Sequence, residues 1–208
     1  MKPERVEYEK FAFLEENVQP DPHKQFALWW DDAVLAKLDM VDAAHLSTVD
    51  EHNRPDARVI LIKYFDTQGL VFFTNYESAK GKELAHNNHA CISILWPALE
   101  RQIRIRGHMS KTNRSESEVY FKSRPHDAQI GAWASPQSQV ISRTDLDMAV
   151  LNFKKKYPHE VPCPPHWGGF RLTPWYFEFW QGRKNRLHDR IVFTQQGKDS
   201  WSMSRLAP

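Results

Sequence analysis

The sequence predicts an α+β fold: an antiparallel sheet curled into a barrel, with helices packed outside it. Three observations carry this. Strand-like segments outnumber helical ones, short turns join neighbouring strands, and no Gly-, Ser- or Pro-dominated linker divides the 208 residues. The chain therefore reads as a single domain over residues 21–208. Residues 1–20, charged and unpatterned, read as an N-terminal arm.

Asp21-Pro22 opens the first helix, with Phe26, Trp29, Trp30, Ala33 and Leu38 at helical spacing. From residue 43 the period shortens to two. HLSTVD and ARVILIKYF read as strands of a hairpin around EHNRPD, and LVFFTN follows the turn DTQG. Ser78 caps a short helix reaching residue 88. ACISILW and RQIRIRGHM are two more strands around Pro97. NRSESEVYFKSR is a helix stopped by Pro125, and helical stretches follow near 126–133 and 143–157. Past VPCPPHWGG come the strands FRLTP, YFEFWQG, RLHDRIVF and SWSMSRL.

The composition excludes several classes. A net charge of +2 argues against a nucleic-acid protein, which needs a strongly basic face. Two cysteines, Cys91 and Cys163, are too few for a disulfide framework. The N-terminus lacks an apolar signal region, and no window nears the ~18 continuous apolar residues of a membrane span. A cytoplasmic location, with no membrane partner, is the default expectation. His159, Cys163 and His166 have ligand-like spacing, but no fourth ligand accompanies them, so no metal is expected.

Four constellations stand out. Arg58 and Lys63 bracket four aliphatics, either as the charged ends of a core strand or as anion contacts. Lys80 sits in the first turn of a helix, where the dipole disfavours a cation and free N–H groups favour an anion. Tyr120 and Arg124, four apart on one helix, form either a packing pair or a phosphate clamp. Finally, Arg186, His188 and Arg190 line one face if RLHDR is a strand, and a buried row of cations needs an anion to offset it.

These constellations occur together, in this order, in the pyridoxamine 5′-phosphate oxidase family, which the chain resembles from about residue 43 onward. The most specific segments are SRPHDAQIGAWAS (123–135), the final SWSM…RLAP and FWQGRKNRLHDR (179–190). The resemblance implies an FMN-binding split barrel working as a homodimer, with two FMN sites at the subunit interface. It also implies oxidation of pyridoxamine or pyridoxine 5′-phosphate to pyridoxal 5′-phosphate, with O2 leaving as H2O2.

By position, the resemblance puts FMN contacts on Arg58, Val59, Ile60, Leu61, Ile62 and Lys63. It adds Phe73, Thr74, Lys80, Gln102, Gln137, Ser138, Trp180 and Arg190. Lys63, Tyr120 and Arg124 would hold the substrate phosphate. Arg186 and His188 would lie over the substrate ring as the catalytic pair, and Arg5 and Tyr8 would close the site as a lid. Two positions depart from the family pattern. Ala79 stands where an arginine is usual, and Ala128 where a serine is usual. A protein that carries FMN or pyridoxal phosphate without turnover is the rival reading these departures leave open.

Overall fold

The structure, a computed structural model, describes residues 7–198 and 200–208. Arg5, the first half of the expected lid, lies outside the described residues.

Helix α1 (Pro22–Leu35) starts as expected: the Asp21 side chain accepts the His23 amide at 2.8 Å, with proline at the first turn. Its buried stripe is Phe26, Trp29 and Ala33. Leu38 falls beyond the helix, because Lys37 turns left-handed at φ 53°; it still packs on the core.

Strands β1 (Ala43–Val49) and β2 (Pro55–Leu61) form the expected hairpin. The segment 57–65 is not one strand, however. At Ile62 and Lys63 the backbone changes partners: the Ile62 amide donates to Asp42 and the Lys63 amide to Val71, both at 2.8 Å. A barrel corner requires such a hand-over. Beyond it, β3 (Tyr64–Asp66) pairs with β4 (Gly69–Asn75). Helix α2 (Ala79–His86) follows, capped by Ser78. Next come β5 (His89–Trp96), β6 (Arg101–Lys111) and helices α3 (Arg114–Ser123), α4 (His126–Ala134) and α5 (Arg143–Lys156).

The chain then enters β7 (Trp167–Gln181), one strand where the sequence suggests two. Pro174, the apparent breaker, sits beside a bulge where the β6–β7 register skips Trp175, a position at which a strand tolerates proline. β8 (Asp189–Gly197) and β9 (Ser200–Arg205) end the fold.

The sheet runs β2-β1-β5-β6-β7-β4-β3, and β8 and β9 extend from β7. β7 is the hinge of this topology. Its first half pairs with β4 and its second half with β8. Ile92, Ile94, Ile103, Ile105, Phe177 and Phe179 are at most 1% exposed and build the core. Each contributes on the order of 1.5–3 kcal/mol. Strand alternation sends Gln102, Arg104 and Arg106 to the opposite face. Residues from the arm join the core too: Phe13 is 4% exposed, and its amide donates to Asp189 at 2.9 Å. Nearby, Arg205 clasps Glu15 and lowers its carboxyl pKa to about 2.

Candidate active site

A cleft of about 650 Å³ opens beside the end of β2 and the end of β4. Val59, Ile60 and Leu61 form one wall, with Lys63 at the corner; Phe73 and Thr74 enter from β4. Across from them, the α3–α4 junction supplies Tyr120, Arg124 and Ala128, and Gln137 closes the rim. Lys80 reaches in from α2. Gly81 permits this tight start, because a Cβ there would lie 2.1 Å from the Tyr76 carbonyl oxygen.

Two cations in this cleft lack a carboxylate partner among the described residues. Lys80 is 8% exposed, and its hydrogen-bond partner is the Thr74 hydroxyl at 3.3 Å. Thr74 in turn reaches Gln137 at 3.3 Å. Burial first, then the Arg58 charge, pushes the Lys80 pKa below its ordinary value. Arg124 lies 4.7 Å over the Trp167 ring, with its buried Nη1 unpartnered. Trp167, Phe73 and Tyr120 form a nearly parallel stack, the Phe73 and Tyr120 centroids being 4.0 Å apart. Buried cations without counter-charge fit an anionic ligand such as a phosphate ester.

Arg58 does not line the cleft. It pairs with Glu83 at 2.9 Å and also contacts Asp56 and Thr48. Ile62 is 2% exposed and faces the core. Ser138, at φ 72°, sits in the exposed stretch after Gln137. Lys63 is held by Asp42 at 2.8 Å.

The remaining expected residues gather in a second cluster outside that cleft. Trp180 on β7 and His188 have ring centroids 4.5 Å apart, and Tyr8 packs edge-on against both. Gly182 makes room for Tyr8, since a Cβ there would lie 2.7 Å from its ring. Gln102 and Arg190 are the cross-strand neighbours of Trp180.

RLHDR is not a strand throughout. β8 begins at Asp189, and Asn185 and Arg186 adopt left-handed backbone at φ 56° and 63°. Arg186, His188 and Arg190 therefore do not form the expected row. Arg186 projects from a tight turn, and Arg190 is neutralised by Glu178 at 2.8 Å. Left-handed backbone in a non-glycine residue is strained and recurs at functional sites. The Arg183 amide donates to His188 Nδ1 at 3.1 Å, so the neutral ring carries its proton on Nε2. Burial, then the Arg186 charge, holds His188 below the usual histidine pKa. Of the trio with ligand-like spacing, His166 Nε2 faces the Ala132 carbonyl, and Cys163 Sγ faces the Pro164 and Trp167 carbonyls.

Trp167, Asp42 and Glu178 were not foreseen. Trp167 lies 44 residues past the end of Tyr120's helix, in no motif that singles it out, and the β4–β7 register brings it under Phe73.

The solved structures define the class. The chain superposes on PhzG from Burkholderia lata, in complex with tetrahydrophenazine-1-carboxylic acid, at TM-score 0.89 and 28% identity, covering 95% of this chain and 98% of that one. An FMN-binding protein from Nostoc punctiforme, related to pyridoxamine 5′-phosphate oxidase, has the same fold at TM-score 0.69 and 18% identity, covering 86% and 97%. The fold is thus the FMN-binding split barrel, and the cleft's unpaired cations fit its phosphorylated cofactor.

Sequence comparison narrows this further. Residues 30–155 match the family model described as pyridoxamine 5′-phosphate oxidase. Residues 167–208 match the pyridoxine 5′-phosphate oxidase C-terminal dimerisation region. The pyridoxine/pyridoxamine 5′-phosphate oxidase of Bordetella avium is 48% identical over 98% of this chain and 97% of its own length. That of Paraburkholderia phymatum is 50% identical over 92% and 91%. The chain belongs to the pyridoxamine 5′-phosphate oxidase family of FMN-dependent oxidoreductases.

Proposed function

We propose that the protein oxidises pyridoxamine or pyridoxine 5′-phosphate to pyridoxal 5′-phosphate, with O2 reduced to H2O2, as a homodimer. The observation that carries this is the division of the candidate residues into two clusters. The cleft holds the unpaired cations Lys80 and Arg124 beside Tyr120 and Lys63. Trp180, Arg186, His188 and Arg190 lie outside it, within the region matching the dimerisation part of the family. A dimer in which each site takes its cleft from one protomer and its Trp180–Arg190 cluster from the partner unites them.

FMN, when bound, accepts the hydride; the chain's own residues bind and orient. In this reading Lys80, Thr74 and Gln137 hold the cofactor phosphate. Arg124, Tyr120 and Lys63 hold the substrate phosphate. Arg186 and His188 cover the substrate ring, His188 donating through Nε2, and Tyr8 closes over them.

The test is pyridoxal 5′-phosphate formation from pyridoxamine 5′-phosphate, with FMN varied from trace to large excess. Turnover that saturates with FMN, with peroxide released in equal amount, is expected. Bound flavin without product at any FMN concentration would favour the non-catalytic carrier.

Ala79 is exposed at the start of α2, next to Lys80, so an arginine there has room to reach a phosphate held by the cleft. Ala79→Arg is expected to tighten FMN about tenfold to a hundredfold, the equivalent of one added charge-assisted hydrogen bond. Flavin fluorescence titration of the apoprotein measures this, and an unchanged dissociation constant would refute it.

A further inference from the structure

The outward face of β6, β7 and β8 carries a buried carboxylate that the reading above leaves without a role. The Glu178 side chain is 3% exposed. Its Oε1 accepts from Arg190 Nε at 2.9 Å and Nη2 at 2.8 Å. Its Oε2 accepts from Arg104 Nη1 and from the Tyr176 hydroxyl, both at 3.0 Å. Arg190 is gripped from its other side as well. Its Nη1 donates to the Ala207 carbonyl at 2.8 Å, and its own carbonyl accepts the Leu206 amide at 2.9 Å.

A guanidinium has five N–H donors in a rigid plane. This clamp uses three and leaves one on each terminal nitrogen. Arg190 is the cross-strand partner of Trp180, so both belong to the same face as Glu178.

We propose that Glu178, backed by the Ala207 carbonyl, is a positioning residue: it fixes the Arg190 guanidinium so that its two remaining N–H groups meet the flavin. The proposal rests on the reading that Arg190 contacts FMN. A long arginine side chain free to rotate loses entropy on binding; one already clamped does not. The clamp also explains why residues 205–208 accompany the site. Arg205 ties this tail to Asp189 at 2.7 Å, which places the Ala207 carbonyl.

The experiment is a double-mutant cycle on FMN affinity, read by flavin fluorescence titration of apoprotein whose dimer and far-UV CD are unchanged. Glu178→Gln removes the charge. Glu178→Asp keeps it, preserving the neutralisation the fold needs, but shortens the reach. Each is expected to weaken FMN on the order of tenfold, as does loss of one charge-assisted contact. In an Arg190→Ala background, either is expected to change affinity less than about twofold, since the group being positioned is gone. Additive losses, or Glu178→Asp binding FMN like the parent, would overturn the proposal while leaving Arg190 as a cofactor contact. Arg190→Ala with undiminished FMN affinity would overturn both.

Discussion

Alanine at His188 or Arg186 is expected to lower kcat/KM by roughly 100- to 1000-fold, while the FMN dissociation constant moves less than about threefold. The two residues sit on a turn, not a strand, and neither is paired to a carboxylate among the described residues. Arg186 is exposed at φ 63°, and His188 is braced by Trp180, Tyr8 and the Arg183 amide. They are therefore held for something outside the chain, and in the proposed dimer that is the substrate ring. A loss of FMN affinity equal to the loss in turnover would mean they serve the cofactor instead.

The pH dependence has a definite sign. His188 can accept the Arg183 amide only while Nδ1 is unprotonated. Burial and Arg186 already push its pKa down, against the opposing pull of Asp189. The working form is thus the neutral ring, and kcat/KM should fall as pH drops through a value below 6.5. In His188→Asn that acid limb should disappear, which separates a titrating His188 from any other group that limits the rate at low pH.

Much of this arrangement was legible in the sequence, and the failures have a common cause. The cap at Asp21, the hairpin around residues 50–54 and the alternation of Gln102 to Arg106 were all readable, because each depends on neighbours in sequence. Lys80 does stand in the first turn of α2, and Tyr120 and Arg124 do line one cleft, although Arg124 falls just past the end of α3 in extended backbone instead of sharing a helix face with Tyr120. What escaped was set by partners far along the chain. The break at Ile62 reflects a change of hydrogen-bond partner from Asp42 to Val71, with no turn residue to announce it. Pro174 suggested two strands, because the register skip that accommodates it is a property of β6 as much as β7. Arg58 and Arg190 looked like free cations on periodicity alone; Glu83 and Glu178, 25 residues ahead and 12 residues behind respectively, neutralise them. Within the cleft, the cations without a carboxylate partner among the described residues, Lys80 and Arg124, are the ones that point to a ligand there.

Lys80 gives the other large expected effect. Replacing it with methionine should weaken FMN binding on the order of 100-fold, as expected when one partner of a buried charge pair is truncated. The same change should make the apoprotein more stable. A buried ammonium bonded to one hydroxyl suffers the cost of desolvation without a counter-charge, and methionine fills similar space without it. A rise of several degrees in apoprotein Tm is expected, since about 1 kcal/mol moves a chain of this size by roughly 2–4 °C.

Linkage adds an independent check. The folded-state pKa of Lys80 is lowered from 10.5, so between the lowered value and 10.5 the unfolded chain binds more protons than the folded one. Apoprotein stability should therefore rise with pH through that window, and the full penalty should be present below it. Bound phosphate returns the pKa upward and flattens the slope; methionine removes it. Thermal melts of parent and Lys80→Met across alkaline pH, with and without FMN, measure both slopes. A destabilised Lys80→Met apoprotein, or one that binds FMN as the parent does, would show that Lys80 supports the fold rather than waiting for an anion.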